Sequence, residues 1–349
     1  MQKYKLFIGI DISKKWIDVC LTLDGNKKQM PHIQVENTPK GFLQMIKWIR
    51  EQLKSLKKTT KLLTHIPPTK EWLFCMEHTG IYTFPITQFL EKKNLDYVMV
   101  NPLHLKHSLG LRRVKNDKAD AADIAKYILL HHQDHSLSNI PSDNLLKIKH
   151  LLGLRGRLIK SQKALTTSSN ELKKHSPAVH HKEVVEHSKS HLKHLKKTIG
   201  LIEKQMLQAI EQDDELKRVY ELVTSVKGAG LIIGASLLVY TVGFTAFENS
   251  RQFATYIGIA PFARQSGSSL NSPAKVSHLA HKKLKGVISC GAASAMRYDK
   301  QLKAYAQRKI EEGKNKFAVQ NAVRNKFLHR IFAVVKRGTP YVELHLHSS

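Results

Sequence analysis

Apolar residues near the start of the chain fall in short, closely spaced runs. Tyr4 to Ile12 is almost continuously apolar, which is typical of a strand covered on both faces. Trp16 to Leu23 predicts a second strand, and the turn residues Asp24-Gly25-Asn26 lead to a third strand at Gln29 to Val35. Strands joined by such short turns are antiparallel. The chain is therefore predicted to begin with three hairpin-linked strands.

Helical spacing follows the third strand and then alternates with further strands. The first helix is indicated by apolar residues that share one face: Phe42, Met45, Ile46, Ile49 and Leu53. The later elements are strands at Trp72 to Met76 and Leu95 to Val100, and helices at Thr83 to Lys92 and Asp117 to His131. This order predicts an α/β domain with a mixed sheet, in which the later strands run parallel to the first and helices pack on the sheet.

The middle of the chain is predicted to be helical. Between Leu145 and Tyr220 there is one proline, Pro177, and no strand pattern. Six apolar residues at spacings of 3, 4, 3, 4 and 3 form a heptad seam: Leu192, Leu195, Ile199, Ile202, Met206 and Ala209. A helical hairpin that pairs with itself or with a second copy fits this seam, and so does a short packed helix.

The last third of the chain, from Leu222, is predicted to be mainly helical. Its helices are indicated at Leu231 to Tyr240, Leu284 to Met296 and Ala318 to Val335. The stretch from Ile257 to Val276 is rich in Gly, Ser and Pro, so we predict a loop there.

The charge balance narrows the choice of partners. The 349 residues include 57 Lys and Arg against 28 Asp and Glu, a net charge of +29 that favours a polyanion such as nucleic acid. Three well-separated cysteines exclude a disulfide framework and a cysteine-based zinc site. The sequence has no cleavable signal pattern, and its longest apolar stretch is shorter than the roughly 20 residues of a membrane helix. We therefore expect a cytoplasmic protein without membrane association.

Acidic residues are scarce, and four of them are placed to meet. Asp11 ends the first predicted strand and Glu77 a later parallel one, so both reach the edge where open α/β sheets have their sites. Asp117 and Asp120 project from one face of a helix. Four carboxylates repel one another unless cations lie between them, and two Mg²⁺ ions are a known device for phosphodiester chemistry. The alternative is that Asp11 ends a strand at a turn and that the other two aspartates cap a helix.

A serine and several basic residues in the second half are candidates for phosphate chemistry. Ser266 lies in a Gly- and Ser-rich stretch close to Arg264, with Lys275 further on, although most such serines only solvate a turn. Lys227, Gly228 and Gly230 are similar to the turn of a helix-hairpin-helix, whose backbone N–H groups approach a phosphate. The remaining basic residues predicted to contact nucleic acid are Arg112, Arg113, Lys115, Lys282 and Lys283.

Histidines are concentrated between residues 171 and 197. His187, His191 and His194 are spaced by four and three positions on one helical face, a spacing that permits a zinc site. Most charged neighbours are lysines, which disfavour a bound cation, so a polar surface that faces nucleic acid is the better interpretation.

These motifs together resemble one family. GIDISK around Asp11, MEHTG followed by Tyr82, and K-x-D-x-x-D-A around Asp117 and Asp120 are similar to the DEDD transposases of the insertion sequence 110 family. The second pattern of that family appears here as Phe247, Ala254, Gly258, Pro261, Ser266 and Gly267.

The resemblance covers about residues 5–130 and 222–340, and it implies a fold. We expect a RuvC-like domain of the RNase H fold in residues 1–140. A helical coiled-coil spacer would follow in residues 141–221. Residues 222–349 would form a mainly α transposase domain that contains the serine.

The resemblance also implies an activity and partners. The four acidic residues would be the metal-binding tetrad, and Ser266, with Ser268 and Ser269 as alternatives, would be the nucleophile that links covalently to DNA. A structured non-coding RNA would guide the enzyme by pairing with donor and target DNA. The acidic tetrad and Ser266 are far apart in sequence, so we expect a site shared between subunits of a dimer or tetramer. The heptad seam would be the dimer contact.

Two other functions are compatible with the sequence. One is a RuvC-like, metal-dependent junction nuclease in which Ser266 has only a structural role. The other is a non-enzymatic nucleic-acid-binding protein with a degenerate RNase H fold.

Overall fold

The chain folds into two compact units, unit 1 (Met1–Ile140) and unit 2 (Pro141–Ser349). The computed structural model describes residues 3–26, 30–59, 63–100, 105, 108, 117–266, 270–276 and 280–343, with the backbone alone for residues 262–275. The predicted spacer, residues 141–221, belongs to unit 2.

Unit 1 contains a mixed sheet. Its strands are β1 (Leu6–Ile12), β2 (Trp16–Thr22), β3 (His32–Glu36), β4 (Trp72–Glu77) and β5 (Tyr97–Val100). They lie in the order β3-β2-β1-β4-β5, with β2 antiparallel to both of its neighbours and β4 and β5 parallel to β1. The predicted mixed sheet is confirmed. Residues 27–29, where the third strand was expected to begin, lie outside the described residues.

Helices cover both faces of this sheet. On one face α1 (Pro39–Thr59) and α2 (Phe84–Lys92) pack against the β1 side chains of Ile8 and Ile10. On the other face lies α3 (Asp117–His131), which packs against β1, β2 and β4. Side chains of a strand alternate between its two faces, so every second residue of β1 meets α3.

A glycine lets α3 cross β1 at close range. A Cβ on Gly9 would lie 2.2 Å from the carbonyl oxygen of Ala121 and 2.2 Å from the amide nitrogen of Ala125. Both are backbone atoms that cannot move aside, so only glycine fits at this position. The first turn of α3 is therefore held beside the C-terminal end of β1.

Unit 2 begins with a long helical hairpin. The helix α4 (Asp143–His175) starts at Ser142, whose hydroxyl accepts a hydrogen bond from the Leu145 N–H at 3.3 Å. The chain turns at Ser176 and Pro177, and α5 (Ala178–Glu211) packs back along α4. The predicted helical character of this region is thus confirmed.

The heptad seam lies on α5 and is covered within unit 2. Its buried members are Leu195, Ile199, Ile202, Met206 and Ala209, and Leu192 is partly buried. The helix α4 and the helices that follow α5 pack against it. These residues are therefore already covered within one chain, and the dimer contact stays a prediction. Periodicity shows that a face is buried, but not what covers it.

The described part of unit 2 contains six further helices: α6 (Asp214–Ser225), α7 (Leu231–Tyr240), α8 (Ser250–Tyr256), α9 (Lys282–Tyr298), α10 (Lys300–Glu311) and α11 (Lys316–Arg337). The core forms around α7, which is buried from Ile233 to Val239. In the part of the chain that the structure describes, no helix combines the length and the apolar character needed to cross a bilayer.

A β-hairpin stands where a loop was predicted. The strands β6 (Pro261–Ser266) and β7 (Leu270–Val276) pair antiparallel, and we call them the serine hairpin. The prediction of a loop is therefore wrong. Backbone pairing does not require apolar side chains, and the Ser, Gly, Asn and Pro residues of this stretch hide the strand pattern.

Candidate functional site

Three carboxylates meet at one edge of unit 1. Oxygen atoms of Asp11, Asp117 and Asp120 all lie within 4.8 Å of one another. Asp11 is near the end of β1, Asp117 is the first residue of α3, and Asp120 follows one helical turn later. The close crossing at Gly9 brings these elements together. The structure thus brings together three of the four predicted acidic site residues.

The electrostatics of this cluster favour a bound cation. Burial, followed in order of size by the charges of Asp120, Asp117 and Glu77, raises the pKa of Asp11 to about 6. Among the described residues, no lysine or arginine forms an ion pair with Asp11, Asp117 or Asp120. A proton or a metal ion is therefore needed to relieve the repulsion.

Glu77, the fourth predicted ligand, lies beside this cluster without being part of it. It is the last residue of β4, which is parallel to β1 and in register with it through the pair Ile10 and Met76. Its charge reaches Asp11 and raises the pKa of that carboxyl. Asp123, one turn beyond Asp120, is 1 % exposed and lies outside the cluster.

The carboxylate of Asp18, which was not predicted as a site residue, is a neighbour of this cluster. Asp18 of β2 pairs directly with Asp11 of β1, so the two side chains share a face of the sheet. His32 Nε2 lies 2.7 Å from Asp18 Oδ1, and the Gln34 amide donates to Oδ2 at 3.0 Å. The antiparallel register of the first hairpin was the signal that could have located it.

The donor set fits a hard divalent cation. Mg²⁺ prefers carboxylate oxygens and usually retains several waters, and the cluster is partly open, with Asp117 exposed. Within the described residues, no other cluster of three His, Cys, Asp or Glu side chains has this geometry. The histidines His187, His191 and His194 are all exposed on α5 and form no such cluster.

The predicted nucleophile lies in unit 2. Ser266 is the last residue of β6 and pairs with Leu270 of β7. Arg264 pairs with Ser272, and Lys275 with Phe262, on the same hairpin. The alternatives Ser268 and Ser269 lie outside the described residues, as do Arg112, Arg113 and Lys115 of unit 1.

The predicted helix-hairpin-helix turn connects α6 and α7. Gly228 has φ +98°, and a Cβ on it would lie 2.5 Å from the Gly291 carbonyl oxygen, so it packs against α9. Gly230 precedes α7 and is exposed, which leaves the N-terminus of that helix open to an anion. Lys227 is engaged by the carboxylate of Glu343. Only Gly230 is thus free to approach a phosphate in the way the motif predicts.

Two other predicted basic residues are exposed. Lys282 and Lys283 begin α9, and neither is paired with a carboxylate among the described residues. The Lys283 ammonium lies over Gly156 of α4. Their positions suit contact with a nucleic-acid backbone.

Comparison with known proteins identifies the family of this chain. Residues 8–177 match a DEDD transposase profile of IS110 type, and residues 220–307 match the profile described as "Transposase IS116/IS110/IS902 family". The chain belongs to the IS110 family of transposases. The DEDD match implies an RNase H-like fold for the first unit of this transposase, in keeping with its mixed sheet. As a transposase, the chain is an enzyme that cleaves and rejoins DNA.

Named relatives extend over nearly the whole transposase. It is 25% identical over 346 residues to the "Pilin gene-inverting protein" of Moraxella bovis, with 97% of this chain and 98% of the relative covered. The protein of the same name from Moraxella lacunata is 26% identical over the same length. An IS110 insertion element protein of Streptomyces coelicolor is 27% identical over 120 residues, which cover 34% of this chain and 29% of that protein.

Proposed function

We propose that this transposase is an RNA-guided DNA recombinase of an insertion sequence, with a serine nucleophile and a Mg²⁺-binding carboxylate site. The proposal is carried by the meeting of Asp11, Asp117 and Asp120 within 4.8 Å, in a chain whose second matched region also contains Ser266. A nuclease needs only the carboxylate cluster. A recombinase must also keep hold of the cut DNA, which a covalent serine link does.

The carboxylates would hold the metal. Asp11, Asp117 and Asp120 converge in unit 1, and Glu77, whose charge acts on Asp11, would supply a fourth ligand. Four carboxylates carry four negative charges, which two divalent cations balance, so we propose two Mg²⁺ ions. Bound Mg²⁺ supplies positive charge that stabilises the charge developing on a phosphodiester under attack.

The serine would make and break the covalent link to DNA. The Ser266 Oγ attacks the phosphorus of a phosphodiester, a new O–P bond forms, and the bond from phosphorus to one deoxyribose oxygen breaks. The serine proton passes to that departing oxygen. Since the phosphoserine ester keeps the bond energy, a hydroxyl of another DNA strand can reverse the step and rejoin the DNA without a co-reactant. Arg264 and Lys275, which belong to the same hairpin, would bring positive charge to the phosphate.

The relatives favour rejoining over hydrolysis. Two of them are named for the inversion of a pilin gene. Inversion requires that both cut ends be joined again in a new order, which a junction nuclease does not do. We therefore prefer the recombinase to the nuclease.

Nucleic acid is the proposed partner of the basic residues. We assign backbone contacts with DNA or RNA to Arg112, Arg113, Lys115, Gly230, Lys282 and Lys283. A structured non-coding RNA would select the site by pairing with donor and target DNA, and the net charge of +29 suits a protein that binds both. We further propose a dimer or tetramer in which one copy supplies the carboxylates and another supplies Ser266.

A strand-transfer assay tests this function. The purified transposase is incubated with the junction DNA of its element, RNA transcribed from the flanking region, and Mg²⁺. We expect joined products that require RNA and Mg²⁺ and that disappear in Asp11→Asn and in Ser266→Ala. The matched control is Asp134→Asn, which changes an exposed carboxylate elsewhere in unit 1. Cleavage that persists in Ser266→Ala would support the junction nuclease. DNA binding without cleavage or joining, unchanged in Asp11→Asn, would support a non-enzymatic binder.

A further inference from the structure

Two polar side chains hold the turn that leads into the serine hairpin. The Lys285 ammonium of α9 donates a hydrogen bond to the Gly258 carbonyl oxygen at 2.7 Å. The Asn321 amide of α11 donates to the carbonyl oxygen of the next residue, Ile259, at 2.7 Å. The strand β6 begins two residues later, at Pro261. The two helices are thus tied to the base of the serine hairpin.

A second cation, Arg324, lies near Lys285. Arg324 follows Asn321 by one turn of α11 and is half-buried. Burial lowers the pKa of Arg324, and burial together with the charge of Arg324 lowers the pKa of Lys285. Two half-buried positive charges therefore lie near each other.

Among the residues that the structure describes, no carboxylate forms an ion pair with Arg324 or Lys285. Arg324 donates no hydrogen bond to any residue that the structure describes and forms no ion pair there. The chain has two other half-buried arginines in its described part, and each has a carboxylate: Arg155 pairs with Glu203, and Arg330 with Asp299. A half-buried guanidinium without a partner is unfavourable in the free protein. Arg324 and Lys285 are therefore suited to bind an anionic ligand.

We infer that Arg324 and Lys285 form a binding site for a phosphate group of the DNA that lies along the serine hairpin. The choice of DNA as the source of the phosphate rests on the proposed function. The five residue steps from Pro261 to Ser266 span about 16 Å of strand. The phosphate bound here is therefore not the one that Ser266 attacks. At about 3.4 Å per nucleotide along one strand, it lies about five nucleotides away. The site would fix the register of the DNA on the serine hairpin.

Inorganic phosphate tests the site without any DNA. Thermal unfolding of the full chain is followed in chloride and in millimolar phosphate at equal ionic strength. We expect phosphate to raise the Tm of the wild type and of the control Lys303→Gln, which removes an exposed charge from α10. In Arg324→Gln the apparent phosphate affinity should fall by about tenfold or more. The Tm of this variant in chloride should equal or exceed that of the wild type, because a repulsion is removed.

Binding of a 30-base-pair DNA duplex identifies the source of the phosphate. The dependence of log affinity on log salt should become shallower by about 1 in Arg324→Gln. The salt dependence should stay unchanged in Lys303→Gln. Arg324→Lys should recover part of the phosphate affinity and part of the salt dependence. Neither this assay nor the phosphate titration needs serine chemistry, so a failure to detect serine-linked DNA would not affect them.

Three results would overturn the inference. Phosphate stabilisation that survives in Arg324→Gln would show that no such site exists. If Arg324→Gln lost the phosphate stabilisation but kept the salt dependence of duplex binding, the site would bind a free anion rather than DNA. A lower Tm of Arg324→Gln in chloride would show that Arg324 supports the fold instead.

Discussion

The backbone of α3 at Ala121 rests against Gly9 of β1, at a distance that leaves no room for a side chain on Gly9. This contact holds the first turn of α3, with Asp117 and Asp120, at the end of β1 where Asp11 lies. The geometry of the carboxylate cluster therefore depends on a residue that carries no functional group.

Replacement of Gly9 by alanine should disrupt unit 1 and its metal site together. The added Cβ would lie 2.2 Å from two backbone atoms of α3, so the helix must shift. We expect a loss of about 3 kcal/mol or more in the free energy of unfolding, measured by urea denaturation, and loss of Mg²⁺ stabilisation.

The matched control for this substitution is Gly200→Ala on α5. Nothing lies within 4 Å of a Cβ at Gly200, so alanine should stabilise its helix by about 0.5–1 kcal/mol. A Gly9→Ala variant that kept wild-type stability and Mg²⁺ response would show that the close crossing does not set the site.

The response of the protein to Mg²⁺ should depend on pH through Asp11. The pKa of this carboxyl is about 6 in the folded protein against an ordinary value of 3.8. The folded metal-free protein thus binds the proton more tightly than the unfolded chain. The contribution of Asp11 to the stability of the metal-free protein should be fully present below about pH 4 and should be lost as pH rises through 6. Above pH 6 the Asp11 carboxylate is ionised and can bind a cation.

We therefore expect Mg²⁺ to raise the Tm more at pH 7.5 than at pH 5. In Asp11→Asn the fall of metal-free stability with pH should be smaller, and the Mg²⁺ effect should be weak at both values. Equal Mg²⁺ shifts at pH 5 and 7.5 in the wild type would contradict this account of the cluster.

The seam of α5 should behave as part of the core of one chain. Ile199 is 7% exposed and Leu201, on the same helix, is 51% exposed. Ile199→Ala should lower the free energy of unfolding by about 3 kcal/mol, whereas the control Leu201→Ala should stay within about 0.5 kcal/mol of the wild type. The loss should not depend on protein concentration. A loss that disappears at high concentration would instead indicate that the seam is a contact between copies.

Lys227 should become a stronger DNA contact when Glu343 is removed. The ion pair between them holds the pKa of Glu343 below its usual value, so the carboxylate is charged at neutral pH and competes with phosphate for the lysine. Glu343→Gln should tighten duplex binding at low salt, and the additional change Lys227→Gln should cancel the gain. Unchanged binding in Glu343→Gln would show that Lys227 does not reach DNA.

Much of unit 1 could be predicted because its strands and turns follow from short patterns of apolar and turn residues. The apolar run of β1 and the turn before β3 predicted the mixed sheet. The rule that sites lie at strand ends predicted that Asp11 and Glu77 share one edge, and helical spacing predicted that Asp117 and Asp120 share one face. The structure brings Asp11 together with the two helical aspartates. The neighbourhood of Asp18 depends on the exact register of β1 and β2, which hydrophobic patterning does not specify to one residue.

Unit 2 was harder to predict, for two physical reasons. The serine hairpin is held by backbone pairing, and its side chains from Pro261 to Val276 carry no strand pattern. The heptad seam was detected, but spacing alone does not distinguish contacts within a chain from contacts between chains. The pairing of Lys227 with Glu343 joins residues far apart in sequence and left no local signal.

The most direct test of the central claim is the identification of the atom that joins the protein to DNA. The transposase is incubated with its junction DNA, RNA and Mg²⁺, denatured, digested, and analysed by mass spectrometry for a peptide that carries a nucleotide. We predict a phosphodiester on Ser266, present in the wild type and absent in Ser266→Ala. A nucleotide on Ser268, Ser269 or another residue, or DNA cleaved without any protein link, would contradict the account.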